Sequence, residues 1–151
     1  MTSKAAKPAS ERVVHLRRVL PAARERVYEA LANPEKLTRW WGPKGFSCPS
    51  IEFEARVGGS YRIAMLPPEG ELFHLCGEFR EVAPPARLAY TFVWDPPASD
   101  DQETLAELSL RDERGGTELT LVQGPFATEE RRKVHEDGWS EGFDRLREVL
   151  D

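Results

Sequence analysis

The sequence predicts an α+β domain. An antiparallel sheet of about seven strands is covered on one face by a long C-terminal helix, and two short helices follow the first strand. Three observations carry this. Between Ile51 and Leu121, apolar and polar residues alternate in segments cut by glycine and proline pairs, the pattern of half-buried strands joined by turns. From Thr128 onward the apolar period becomes 3.6, the pattern of an amphipathic helix. The length, 151 residues, suits one domain with one core, which buries roughly 70% of the surface its unfolded chain exposes.

The elements follow in chain order. Residues 1–10 are small and polar with Pro8, and read as a disordered tail, so the domain spans residues 11–151. Arg12 to Leu20 is largely apolar or β-branched and reads as the first strand. Pro21 stands where a helix can begin, and Val27, Ala30 and Leu31 share one helical face. Asn33 reads as the N-cap of a second helix with Pro34 at its first position. Gly42-Pro43 stops that helix after Trp40-Trp41.

The period then changes to two. Ile51, Phe53, Ala55 and Val57 alternate with charged residues, and Gly58-Gly59 turns the chain onto Tyr61, Ile63 and Met65. Leu72 to Val82 places Phe73, Leu75, Gly77 and Phe79 on one face. Leu88, Tyr90, Phe92 and Trp94 form the next strand, Ala106, Leu108 and Leu110 another, and Leu119 with Leu121 the last. Thr128 caps the terminal helix, whose stripe is Trp139, Gly142, Phe143, Leu146, Val149 and Leu150. Gly138 and Gly142 lie on one side of it, and each costs about 1 kcal/mol relative to alanine in a helix. Close approach of the helix to a sheet or a ligand would offset that cost.

Composition excludes several functions. Apolar residues at 40% are too many for a disordered chain. There is no transmembrane run and no secretory h-region, so a cytoplasmic protein without membrane insertion is expected. The net charge is −5, and Asp95 to Glu103 holds four acids and no base. No lysine–arginine cluster is present to release counterions from a phosphate backbone, so nucleic acid is not an expected partner. Cys48 and Cys76 form no CxxC and read as small hydrophobes in a reducing compartment.

The chain resembles the family named for activators of the ATPase of heat-shock protein 90. The residues that carry the resemblance are Pro21, Val27, Asn33-Pro34-Glu35, Leu37, Trp40-Trp41-Gly42-Pro43, Val57-Gly58-Gly59, Gly77, Pro84-Pro85 with Leu88, and Gly138-Trp139 with Leu146. The resemblance implies a helix-grip fold, shared with lipid-transfer START domains, the major birch-pollen allergen and polyketide cyclases. In that fold a curved sheet grips the C-terminal helix, with a hydrophobic cavity between them. It also implies two alternative roles, a chaperone-interacting module or a cyclase- or dehydratase-like enzyme. No segment before Glu11 is expected to supply the separate N-terminal domain that eukaryotic activators carry.

The primary expectation is binding of a small hydrophobic molecule between sheet and helix. The expected lining is Trp41, Tyr61, Ile63, Phe73, Tyr90, Phe92, Trp139 and Phe143. Plain core packing is the competing reading for every one of them. His74, Cys76 and Glu78 alternate on one strand, but neighbours on one strand face lie roughly 7 Å apart, a poor fit to a single ion, so no metal is expected. No nucleophile motif is present, and neither glycine pair opens a helix as a phosphate loop would. No cofactor and no catalytic residue is therefore assigned. For an enzyme, His15 and Glu78 are the titratable side chains to follow into the cavity.

Overall fold

A computed structural model describes residues 12–150, so the proposed tail lies outside the described residues. Ten elements follow one another: β1 (Val14–Leu20), α1 (Arg24–Ala32), α2 (Pro34–Leu37), β2 (Ile51–Phe53), β3 (Ser60–Met65), β4 (Phe73–Ala83), β5 (Arg87–Asp95), β6 (Thr104–Glu113), β7 (Gly116–Gly124) and α3 (Glu129–Leu150). The strands form one seven-stranded sheet in the order β1-β7-β6-β5-β4-β3-β2. Every pairing is antiparallel. The sheet and α3 make the α+β helix-grip architecture. No helix among the described residues is long and apolar enough to cross a membrane.

Local chemistry explains the element ends. The Asn33 side chain accepts from the Glu35 amide at 2.9 Å, with Pro34 at the first helical position of α2. The Thr128 hydroxyl accepts from the Arg131 amide at 3.1 Å and caps α3. Several ends differ from the sequence reading, among them that of α2, which closes at Leu37 instead of running on to Trp41. Helix α1 begins at Arg24 rather than Pro21, because the Thr117 hydroxyl donates to the Ala22 carbonyl at 2.6 Å and holds that segment extended. Strand β2 stops at Phe53, because Glu54 to Gly59 fold into a wide turn. There the Gly59 amide bonds the Arg56 carbonyl at 2.7 Å, and Gly58 adopts φ +83°. Ala55 and Val57 therefore leave the strand, and Val57 is exposed.

One sheet face is apolar and meets α3. Ala106, Leu108, Leu119 and Leu121 pack there with Phe143, Leu146 and Leu150. On the opposite face Arg87 pairs with both Glu81 and Glu107, and Arg17 and Arg111 flank Glu118. Gly77 sits where the strands crowd. A Cβ there would lie 1.9 Å from the Thr91 carbonyl oxygen and 2.6 Å from the Tyr61 ring.

Candidate functional site

Packing between sheet and helix is not uniform. Toward β2, Phe53, Tyr61, Phe79 and Tyr90 close the core, with ring centroids 4.8 to 6.2 Å apart. The Tyr61 hydroxyl donates to the Thr91 carbonyl at 2.6 Å. Burial pushes both phenols up from their ordinary range. Beside the first half of α3, the layers separate around a pocket of about 300 Å³.

Three segments wall this pocket. Helix α3 presents Arg131, His135, Gly138, Trp139 and Gly142, one face at helical spacing. The sheet presents Met65, Phe73, Phe92 and Trp94 from the ends of β3, β4 and β5. The segment after α2 presents Trp40, Trp41, Gly42, Pro43 and Phe46. Pro96, Ala98, Asp101 and Val134 form the rim.

The two helix glycines meet the third wall. A Cβ on Gly142 would sit 3.6 Å from the Gly42 carbonyl oxygen and 3.7 Å from the Trp40 ring. One on Gly138 would sit 3.7 Å from Pro43. Helix and loop thus approach closely where the sequence places its two helix glycines. Arg145 and Glu141 hold the loop from the same helix. Arg145 Nη1 lies 3.0 to 3.4 Å from the carbonyls of Trp41, Gly42, Pro43 and Phe46. A Glu141 carboxylate oxygen accepts from the Lys44 amide at 3.0 Å. Cys48 lies beside this clamp, and burial pushes its thiol up to about 11.

The polar groups of the pocket are mostly satisfied by one another. The Trp139 indole donates to the Gln123 amide oxygen at 2.6 Å, and Gln123 in turn donates to the Thr104 hydroxyl at 2.8 Å. The Trp94 indole donates to Nε2 of His135 at 2.8 Å. That bond makes Nε2 an acceptor, so Nδ1 carries the proton and donates to the Arg131 carbonyl at 2.8 Å. Burial holds the His135 pKa below its ordinary value, in agreement with a neutral ring. Arg131 Nε contacts Asp100 at 2.9 Å and Asp101 at 3.4 Å. What remains toward the cavity is chiefly aromatic surface. Trp41 meets Trp139 edge-on with centroids 5.3 Å apart, and Phe92 meets Trp94 in the same way at 5.3 Å. Such a surface binds by apolar burial and ring contact.

The structure brings Trp41, Phe73, Phe92 and Trp139 together on this pocket. Phe143 lies one turn further along α3 and packs against Trp40 and Trp139. Ile63 is fully buried in the core, and Tyr61 and Tyr90 belong to the closed aromatic cluster, so these three and Phe143 lie outside the lining. His15 and Glu78 are exposed and line no part of this pocket. Trp94, His135 and Arg131 line the pocket but were not in the expected lining. A signal was present, because His135 and Arg131 stand four and eight residues before Trp139 on the same helical face.

Comparison with known proteins adds the lineage. The family described as "Activator of Hsp90 ATPase homolog 1-like protein" matches residues 21–151. A solved Chromobacterium violaceum protein is similar at 30% identity and TM-score 0.85, over 92% of this chain and 96% of that one. A Nitrosomonas europaea protein is similar at 30% identity and TM-score 0.78, over 91% and 93%. An AHSA1 protein from Silicibacter pomeroyi is similar at 25% identity and TM-score 0.80, over 91% and 96%. The search among curated proteins found no match.

Proposed function

The chain belongs to the Activator of Hsp90 ATPase homolog 1-like family, and from that premise we propose that it binds a small hydrophobic molecule between α3 and the sheet. The observation that carries this reading is the pocket of about 300 Å³ beside α3, walled by Trp41, Phe73, Phe92, Trp94 and Trp139. That volume stands at the lower end of small-molecule sites. It suits a compact ring system and is too small for a two-chain lipid. Among the described residues, no fully buried side-chain nitrogen or oxygen of the lining lacks a hydrogen-bond partner, so binding draws chiefly on apolar area and aromatic contact. The role is that of a carrier or sensor acting in the cytoplasm.

The test is titration with N-phenyl-1-naphthylamine, a neutral dye that brightens in apolar surroundings. Saturable binding of one dye per chain, with quenching of tryptophan emission, is expected. A linear, non-saturating signal would defeat the reading. The family description carries a second reading, in which the chain acts on a chaperone. ATPase rates of that chaperone with and without this protein separate the two.

A further inference from the structure

We propose that the pocket selects organic cations, aromatic ammonium compounds in particular, over anions of the same shape. This rests on the pocket being a binding site and adds the charge of its ligand.

The first support is the lining. The rings of Trp41, Trp94, Trp139 and Phe92 gather within ring-centroid distances of 5.3 to 6.1 Å along the chain of contacts. An aromatic face carries negative potential and attracts a cation placed over it. The second support is what the lining withholds. An anion needs hydrogen-bond donors. The indole N–H groups of Trp94 and Trp139 are already given to His135 and Gln123, and Nδ1 of His135 is given to the Arg131 carbonyl, so the side-chain donors left to the lining are the Trp41 indole and the Arg131 Nη groups. The third is the charge balance. Arg131 is the cationic side chain of the lining among the described residues, and its Nε faces two carboxylates, Asp100 at 2.9 Å and Asp101 at 3.4 Å. Asp101 itself lines the pocket. The cluster therefore carries one more negative than positive group. Its two carboxylates belong to the Asp95–Glu103 stretch, which holds four acids and no base and whose Asp95 is paired with Arg62 at 3.3 Å. A field of that sign draws cations toward the mouth and repels anions.

The experiment compares three naphthalenes that share one ring and differ in charge: naphthalen-1-ylmethylammonium, naphthalen-1-ylmethanol and naphthalene-1-carboxylate. Each is titrated into the full chain by calorimetry at neutral pH and low ionic strength. The ammonium should bind at least about tenfold more tightly than the carboxylate, with the alcohol between them. The gap should shrink as salt is added. Asp101→Asn, which keeps an oxygen for the Ala98 amide now bonded at 2.6 Å, should lower the ammonium-to-alcohol affinity ratio. Equal affinities, or a carboxylate that binds most tightly, would overturn the charge preference while the pocket reading stands. Failure of all three compounds and of the neutral dye would overturn both.

Discussion

The Trp94 indole donates its proton to Nε2 of His135 over 2.8 Å, and this bond ties the end of β5 to the first half of α3 across the pocket. It exists only while the imidazole is neutral, because a protonated ring has no acceptor nitrogen. Phe92, Trp94 and Phe126 stack around the ring at 4.6 to 5.6 Å, and Asp101 and Arg131 act on it electrostatically.

Acid should therefore loosen the fold through this residue. Burial lowers the folded-state pKa of His135 below that of an exposed histidine, about 6.5. Between those two values the unfolded chain holds more protons than the folded one, so stability rises with pH across that window. The melting temperature should be level above about pH 7 and fall as pH drops through about 6.5. His135→Gln offers Trp94 an acceptor and the Arg131 carbonyl a donor without titrating. The difference between the wild-type and variant melting curves isolates the effect, and parallel curves across that range would count against it.

Arg145 should matter to the pocket without touching a ligand. Its Nη1 lies among four carbonyls of the Trp41–Phe46 segment. Arg145→Met keeps the aliphatic stem and removes the donors. Hydrogen bonds from charged groups contribute about 1.5–3 kcal/mol, so a loss of about 2 kcal/mol is expected in urea unfolding. Dye affinity should drop several-fold as the wall loosens, and Arg145→Lys should recover part of both. Full dye affinity in the methionine variant would show that the loop holds its place without the clamp.

Gly77→Ala should be among the most damaging single-methyl additions to the sheet. The new Cβ would lie 1.9 Å from the Thr91 carbonyl oxygen, which is backbone and cannot turn aside. A loss of about 3 kcal/mol or more is expected, the range reserved for backbone strain and overpacking. Calorimetric melting checks it, and a loss under about 1 kcal/mol would mean that the strands can part there.

Much of this was legible in the sequence for identifiable reasons. Asn33-Pro34 and Thr128 mark helix starts because capping is local chemistry, and both bonds form. Alternation separated the two faces of each strand but did not settle which of them points inward, since a shift of one residue exchanges them; the structure buries Ile63, Leu75, Tyr90 and Leu108. Where along the inner face the layers separate was not legible either. Tyr61, Tyr90 and Phe92 all point inward, yet only Phe92 meets the pocket, because a gap depends on contacts between residues far apart in the chain. His135 was not assigned to the lining for a related reason. Its partner Trp94 lies 41 residues away, and helical spacing alone does not separate a buried histidine from an exposed one.

The central claim is that α3 approaches the loop after α2 closely enough to shape a ligand pocket, and Gly142 is where one substitution tests it. A Cβ there meets Gly42 and Trp40 at ordinary contact distance, so Gly142→Ala should fold well and gain up to about 1 kcal/mol in helix propensity. The larger side chain of Gly142→Leu must occupy the pocket or push the loop away. The decisive measurement is titration of wild type, Gly142→Ala and Gly142→Leu with N-phenyl-1-naphthylamine, alongside their melting temperatures. The account predicts that the leucine variant, still folded, binds at least about tenfold more weakly, a loss of about 1.4 kcal/mol. A folded leucine variant that binds the dye as wild type does would contradict it.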